Sequence, residues 1–223
     1  MSSRQASVAI VDYGLGNLFS VKHACAHAGM RAEVTSSKAD ILAADAVILP
    51  GVGAFGDAMA NLRRLDLVEP LRDIAQSAKP LVGICLGMQL VMSESFEFGR
   101  YEGLGLVKGP VVRFEEPTEG GRTLKVPQVG WNRVFPARAG GWKGTLLEGV
   151  GEGEYMYFVH SFYAKPEDGA VVLSTSDYGH IEFCSALSRG NVTAFQFHPE
   201  RSGPAGLRVY ANLARHITGA HHE

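Results

Sequence analysis

A cysteine with a glycine two residues away on either side, Gly83-Ile84-Cys85-Leu86-Gly87, marks the place where this chain could hold a nucleophile. The apolar residues 81–84 read as a short buried strand. Leu86, Met88, Gln89, Leu90, Val91 and Met92 read as the helix that follows. A strand-to-helix corner of this kind is a nucleophile elbow with cysteine in the place of serine. Glycines suit it because a tight corner brings backbones together and leaves no room for Cβ atoms. The first-turn N–H groups of the helix would face the sulfur, where they favour a thiolate and can hold an oxyanion. The competing reading is a cysteine buried at the end of a core strand, the commoner fate of a free thiol.

A nucleophile needs a base. In Gln196-Phe197-His198-Pro199-Glu200, a strand ending here would project His198 and Glu200 to one side. The histidine could then deprotonate a thiol, and the carboxylate could fix its tautomer and steady its cation. Pro199 lacks an N–H and places the segment at a strand end or edge. The alternative is a partly buried histidine with a surface glutamate nearby. Two glycine clusters invite a nucleotide reading. Gly14-Leu15-Gly16-Asn17-Leu18-Phe19 has Phe at the third glycine position. Gly51-Val52-Gly53-Ala54-Phe55-Gly56 matches GxGxxG but follows the third strand and lacks the later acidic residue. Its glycines can instead let the backbone around Val52 flip and present an N–H to a neighbouring site.

These residues must be positioned by alternating strands and helices. Strands are expected at 8–13, 32–35, 46–49 and 81–84, with helices at 18–28, 39–44 and 59–78, the last with a break at Pro70. Apolar strands alternating with helices imply a mainly parallel α/β sheet with right-handed crossovers. After about Gly99 the rhythm changes to short runs, at 106–107, 111–114, 155–160, 171–174, 181–185 and 191–198. They read as an antiparallel addition closed by a helix over 205–217, with residues 117–121 as an exposed turn. One domain over residues 1–223 accommodates all of it.

With 21 basic and 23 acidic residues and no strongly basic segment, the chain carries no electrostatic footprint for nucleic acid. Cys25, Cys85 and Cys184 are far apart and odd in number, and no CxxC or His/Cys cluster suggests a metal. His221-His222-Glu223 reads as a tail and not as a metal site. The start, Met1-Ser2-Ser3-Arg4-Gln5, has no signal-peptide pattern, and no apolar stretch reaches a membrane span. A soluble, cytoplasmic protein is expected.

Gly83-Ile84-Cys85-Leu86-Gly87-Met88-Gln89 with the distant His198-Pro199-Glu200 resembles the class I (triad) glutamine amidotransferases. Further stretches are similar to the branch of that family serving imidazole glycerol phosphate synthase, the glutaminase subunits of histidine biosynthesis. They are Asp12-Tyr13-Gly14-Leu15-Gly16-Asn17-Leu18, Leu49-Pro50-Gly51-Val52-Gly53-Ala54-Phe55, Gly130-Trp131-Asn132, Tyr157-Phe158-Val159-His160-Ser161-Phe162-Tyr163 and Phe195-Gln196-Phe197-His198-Pro199-Glu200-Arg201-Ser202-Gly203. They follow family order over essentially the whole chain. The resemblance implies a flavodoxin-like fold and a Cys85–His198–Glu200 triad that forms a γ-glutamyl thioester. It implies oxyanion donors at Val52 and Leu86, and glutamine held by Gly53, Gln89 and the main chain near Ser161 and Phe162. It implies no cofactor and no metal. It also implies a heterodimer with a TIM-barrel cyclase that receives ammonia through a channel, a lyase reaction overall. Gln128 stands where the family usually has His, and Arg201 where it usually has Lys. Neither touches the implied triad, and Gln128 is expected to alter a contact with the partner or with a neighbouring loop. Other amidotransferases, of anthranilate or pyridoxal phosphate synthesis, fit Tyr13 and Gly130-Trp131-Asn132 less well. A degenerate regulatory subunit would lack the intact Cys85, His198 and Glu200.

Overall fold

The computed structural model describes residues 5–219. The start at residues 1–4 and the tail His221-His222-Glu223 lie outside the described residues. The first half runs β1 (Ser7–Val11), α1 (Leu18–His27), β2 (Arg31–Thr35), α2 (Lys38–Ala43), β3 (Ala46–Gly51), α3 (Phe55–Arg64), α4 (Val68–Ala75), β4 (Leu81–Cys85) and α5 (Leu86–Leu90). The second half adds β5 (Met92–Ser95), β6 (Tyr101–Glu102), β7 (Val107–Arg113), β8 (Thr118–Glu119), β9 (Arg122–Thr123), β10 (Gln128–Pro136) and β11 (Glu154–His160). It finishes with β12 (Phe162–Ala164), β13 (Val172–Tyr178), β14 (Ile181–Arg189), β15 (Val192–Phe195) and α6 (Gly203–Thr218).

The main sheet has the order β11-β10-β13-β14-β15-β4-β3-β1-β2. From β2 to β15 its neighbours are parallel, and from β15 to β11 they are antiparallel. A smaller sheet, β12-β7-β5-β6, covers part of one face. Alternation along the parallel strands sorts side chains to two cores. Val8, Ile10, Ala46, Ile48, Val82 and Ile84 face α1 and α6, whereas Ala9, Val11, Val47, Leu49 and Leu81 face α3, α4 and the smaller sheet.

Several boundaries differ from expectation, each for a local reason. The expected long helix is two, broken at Asp66 (φ 53°), not at Pro70. Pro70 sits in the first turn of α4, where its missing N–H has no intrahelical partner to lose. The helix after Cys85 stops at Leu90, because Met92 onward pairs with β6 and β7. Runs 106–107 and 111–114 are one strand, β7. Residues 117–121 belong to the β8–β9 hairpin, whose two-residue turn places Gly120 and Gly121 both at positive φ, the requirement of a type I′ turn. The last strand ends at Phe195 and not at His198.

The corner that carries Cys85 rests on a close approach between β3, β4 and α5. A Cβ on Gly87 would lie 1.8 Å from the Leu49 carbonyl oxygen, and one on Gly83 would lie 2.9 Å from the Gly87 carbonyl. The expectation that Cβ atoms are excluded from this corner holds. Gly87→Ala should therefore lower stability by about 3 kcal/mol or more, the upper range for overpacking. Gly105→Ala, at positive φ with nothing within 4 Å, should lose only about 1–2 kcal/mol. Urea denaturation of both variants checks this, and equal losses would contradict it.

Candidate active site

Cys85 is the hinge residue of the elbow, at φ 55° and ψ −107°, a conformation an L-residue keeps only when its surroundings enforce it. It is buried, and its Sγ lies 3.9 Å from the Val159 carbonyl oxygen and 3.8 Å from Gln196 Nε2. The helix beyond it is only five residues long. Any help to the sulfur from that side comes from individual first-turn N–H groups, that of Leu86 first, and hardly from a macrodipole.

His198 and Glu200 do meet, though not by strand alternation. His198 precedes a short 3-10 helix, Pro199–Arg201, and this turn swings the Glu200 carboxylate back to the ring. The His198 Nδ1–H donates to Glu200 Oε1 at 2.7 Å, with the two side chains 5% and 1% exposed. The His198 main chain is pinned on both sides: its N–H donates to the Tyr157 carbonyl, and its carbonyl accepts from Ser202 Oγ. Nδ1 is thus committed, and Nε2 is the ring nitrogen free for the thiol. No partner meets Nε2 with hydrogen-bond geometry, yet Cys85 is near enough to act on the ring. Burial works against a charged His198, but the Cys85 sulfur and the Glu200 carboxylate outweigh it and push the histidine up to about 10. The ring is built to hold a proton taken from a thiol.

A cavity of about 250 Å³ opens on Cys85, lined by Val52, Gly53, Leu86, Gln89, Glu97 and residues 159–162 of the β11–β12 corner. It falls below the roughly 300–1,000 Å³ of drug-sized sites and suits an amino acid. Every residue expected to bind glutamine or the oxyanion therefore borders one cavity. Gln89 Nε2 donates to the Phe162 carbonyl at 2.9 Å. His160 Nδ1–H donates to the same carbonyl, also at 2.9 Å, and burial lowers this histidine to about 4, so it is neutral. Val52, 40% exposed, follows Gly51 at the cavity rim. A Cβ on Gly51 would lie 2.1 Å from the Tyr13 hydroxyl, whereas Gly53 (φ 103°) has its nearest contact at 3.8 Å. Tyr13 donates to the Pro50 carbonyl at 2.7 Å and clamps the start of this loop. Only the Val52–Gly53 end has room to turn.

Glu97 is an acidic cavity residue that sequence reasoning missed, because a lone acid between two phenylalanines carries no motif. Its carboxylate accepts the Phe55 N–H at 2.6 Å, and burial raises its pKa, with the Phe55 bond opposing and Asp57 adding to the rise. This contact also disposes of the nucleotide reading. The N-terminus of α3, where GxGxxG would place a phosphate, already holds a carboxylate. Gln128 does not reach the surface: it is 4% exposed and pairs across the strands with His160, so a direct partner contact is ruled out for it. Arg201 stacks over the Tyr157 ring at 4.3 Å. Among the described residues no group of three His, Cys, Asp or Glu could hold a metal, and no helix is long and apolar enough to cross a membrane.

The family described as glutamine amidotransferase class-I matches residues 9–217. Imidazole glycerol phosphate synthase subunit HisH of Rhodopirellula baltica is 48% identical over 207 residues, covering 93% of this chain and 96% of that protein. Its counterpart in Geobacter metallireducens is 46% identical over 210 residues, covering 94% and 98%. Two solved structures are alike in fold. PurLQS from Thermotoga maritima has a TM-score of 0.71 at 20% identity, covering 94% of this chain and 97% of its own. The glutaminase domain of Trypanosoma brucei CTPS, solved with bound acivicin, has 0.68 at 14%, covering 98% and 96%.

The His198 environment has a consequence for stability. Unfolded histidine releases its proton near pH 6.5, whereas the folded chain keeps it to about 10. The stabilisation is fully present below pH 6.5 and is lost as pH rises toward 10. The stability difference between the parent chain and His198→Gln should shrink steadily across that window in urea melts. A difference independent of pH would contradict a raised His198.

Proposed function

The chain belongs to the class I glutamine amidotransferases, and from that premise we propose that Cys85, His198 and Glu200 are its catalytic triad. The chain is the glutaminase subunit of an imidazole glycerol phosphate synthase, in histidine biosynthesis, as the high similarity to HisH subunits over nearly its full length indicates. The observation that carries the chemistry is the buried His198–Glu200 pair beside the elbow cysteine. His198 holds the Cys85 proton, and the thiolate attacks the side-chain amide carbon of glutamine. The negative charge that develops on oxygen is met by the Leu86 N–H and a Val52 N–H turned inward. His198 returns the proton to the leaving nitrogen, the C–N bond breaks, and ammonia departs from a γ-glutamyl thioester. Water, deprotonated by the same ring, attacks the thioester and releases glutamate and the thiol. Gly53, Gln89 and the main chain at Ser161 and Phe162 hold the substrate, and the Glu97 carboxylate is placed to meet its ammonium group.

Ammonia set free in water would be wasted, and one face of the molecule fits a receiver for it. On β10 and β11 the outward residues Val129, Trp131 and Tyr155 are 60%, 56% and 47% exposed. Trp131 packs edge-on against Tyr157, and Arg133 lies over Tyr155. The same face runs on to Val159, whose carbonyl borders Cys85. An exposed aromatic and apolar patch beside a nucleophile is the signature of a docking surface. Its occupant in this reading is the TIM-barrel cyclase subunit. Ammonia passes into that barrel and completes imidazole glycerol phosphate with release of an aminoimidazole carboxamide ribotide. The assembly is a cytoplasmic lyase heterodimer.

Glutamate release by the purified chain should be slow alone and rise at least about 10²-fold with cyclase and its ribotide, the worth of one oxyanion donor. Cys85→Ala should abolish it in every mixture, and activity surviving that change would sink the triad. Trp131→Ala should weaken the cyclase complex by about tenfold or more in calorimetry, with glutamate release by the free chain unchanged. Unaltered affinity would move the docking face elsewhere.

A further inference from the structure

One fully buried side chain beside the nucleophile has no part in the steps above. Gln196 is the first residue after β15, and its alternation sets it apart from its neighbours. Phe195 and Phe197 pack ring to ring at 5.2 Å in the core under α1 and α6. Gln196 points the other way, into the site, and its main-chain N–H is tied to the Ser185 carbonyl at 2.9 Å. Its side chain is 0% exposed, so both ends of the amide must find partners inside the protein.

Those partners form a directed chain. It starts at the Phe162 carbonyl, which can only accept. That carbonyl takes the His160 Nδ1–H and one N–H of Gln89, and so fixes the Gln89 amide with its nitrogen turned inward. The second N–H of Gln89 then meets Gln196 Oε1 at 3.2 Å. Reversing the Gln196 amide would set two NH₂ groups against each other, so its oxygen must face Gln89. The Gln196 nitrogen is thereby left to face Cys85 Sγ, at 3.8 Å. A backbone carbonyl of the β11–β12 corner thus dictates, through two side-chain amides, that a donor points at the sulfur. The same chain uses both Gln89 N–H groups and leaves Gln89 Oε1 with accepting capacity for a ligand in the cavity it lines.

We propose that Gln196 is a positioning residue for the glutaminase reaction, donating an N–H to the Cys85 sulfur while locking the substrate-binding amide of Gln89. The proposal rests on the triad reading above. A donor aimed at sulfur binds a thiolate more strongly than a thiol, because a hydrogen bond to an ionised acceptor is roughly twice as strong as one between neutral groups. Its two ends serve two different steps. The nitrogen acts on the nucleophile, and the oxygen acts on substrate binding through Gln89. They can therefore be separated.

Gln196→Glu keeps an acceptor for Gln89 but replaces the donor with a carboxylate that repels a thiolate. Gln196→Met keeps the volume and removes both functions. Iodoacetamide alkylation of Cys85 at pH 7, followed by mass spectrometry, reads the sulfur without any glutamine. It should slow about tenfold or more in both variants, while the cyclase-activated glutaminase separates them. Gln196→Glu should lose kcat with KM near the parent, whereas Gln196→Met should also raise KM about tenfold. Gln89→Met should raise KM and, because it frees the Gln196 amide to turn, slow alkylation as well, though less than Gln196→Glu does. Melting curves show whether each variant folds, and should Gln196→Met fail to fold, Gln196→Glu carries the test alone. Alkylation at the parent rate in a folded Gln196→Glu would overturn the proposal. If Cys85→Ala still releases glutamate, the triad reading fails by itself, and the alkylation result stands or falls separately.

Discussion

Everything chemical in this protein depends on how closely three backbones approach at the β4–α5 corner. Gly87 lies against the Leu49 carbonyl and Gly83 against Gly87, at separations that admit no side chain. Compression of this kind is what keeps Cys85 at φ 55°, a conformation costing about 1–3 kcal/mol that a looser corner would relax. The sulfur is consequently presented at the mouth of a cavity and not folded back into the core. Its fate contrasts with that of Cys25 and Cys184. Burial pushes each of those thiols up to about 12 and leaves them inert at neutral pH. Two placements of a buried cysteine occur in this chain, one at a cavity mouth and two in the core, and backbone geometry decides between them.

The second requirement is a charge held away from water. His198 and Glu200 are both nearly inaccessible, and Glu200 Oε2 finds no partner at all. A carboxylate so placed would be costly alone, and an ionised His198 is its compensation. The pair is therefore stable chiefly as an ion pair, which is the state a general base reaches after taking a proton. His160, two residues before Phe162, shows the opposite solution. It gives its one proton to a carbonyl and stays neutral. One site thus holds two buried histidines in opposite charge states, separated only by what each ring nitrogen faces.

Much of this was legible in the sequence where a requirement was local. The Gly-x-Cys-x-Gly spacing reports a steric exclusion within five residues, and the structure repeats it as contact distances. The continuous apolar runs of β1, β3 and β4 report burial on both faces. What was not legible depended on elements distant in sequence. His198 and Glu200 were expected to share a strand face, but a 3-10 turn after Pro199 brings them together. Glu97 has no neighbouring pattern because its partner is the start of α3, 42 residues away. Gln128 was expected to alter a contact with the partner or with a neighbouring loop, and its buried place opposite His160 follows from the β10–β11 register, which only folding sets.

Rigidity and freedom are unevenly placed around the cavity, and in the proposed function this is where a partner would act. Tyr13 clamps Pro50, and Gly51 is wedged between Tyr13 and Leu86, so the loop is immobile up to that point. Beyond it Val52 is exposed and Gly53 is uncrowded, so the peptide that would supply the second oxyanion donor in the proposed mechanism is far less confined than Gly51. Cys85, His198, Glu200 and Gln89 are all held by buried contacts within the chain. Val52 lines the cavity together with Val159, the cross-strand partner of the exposed Val129. A subunit seated there would complete the one part of the hole that the chain leaves free. Reaction and receipt of ammonia would then depend on a single contact.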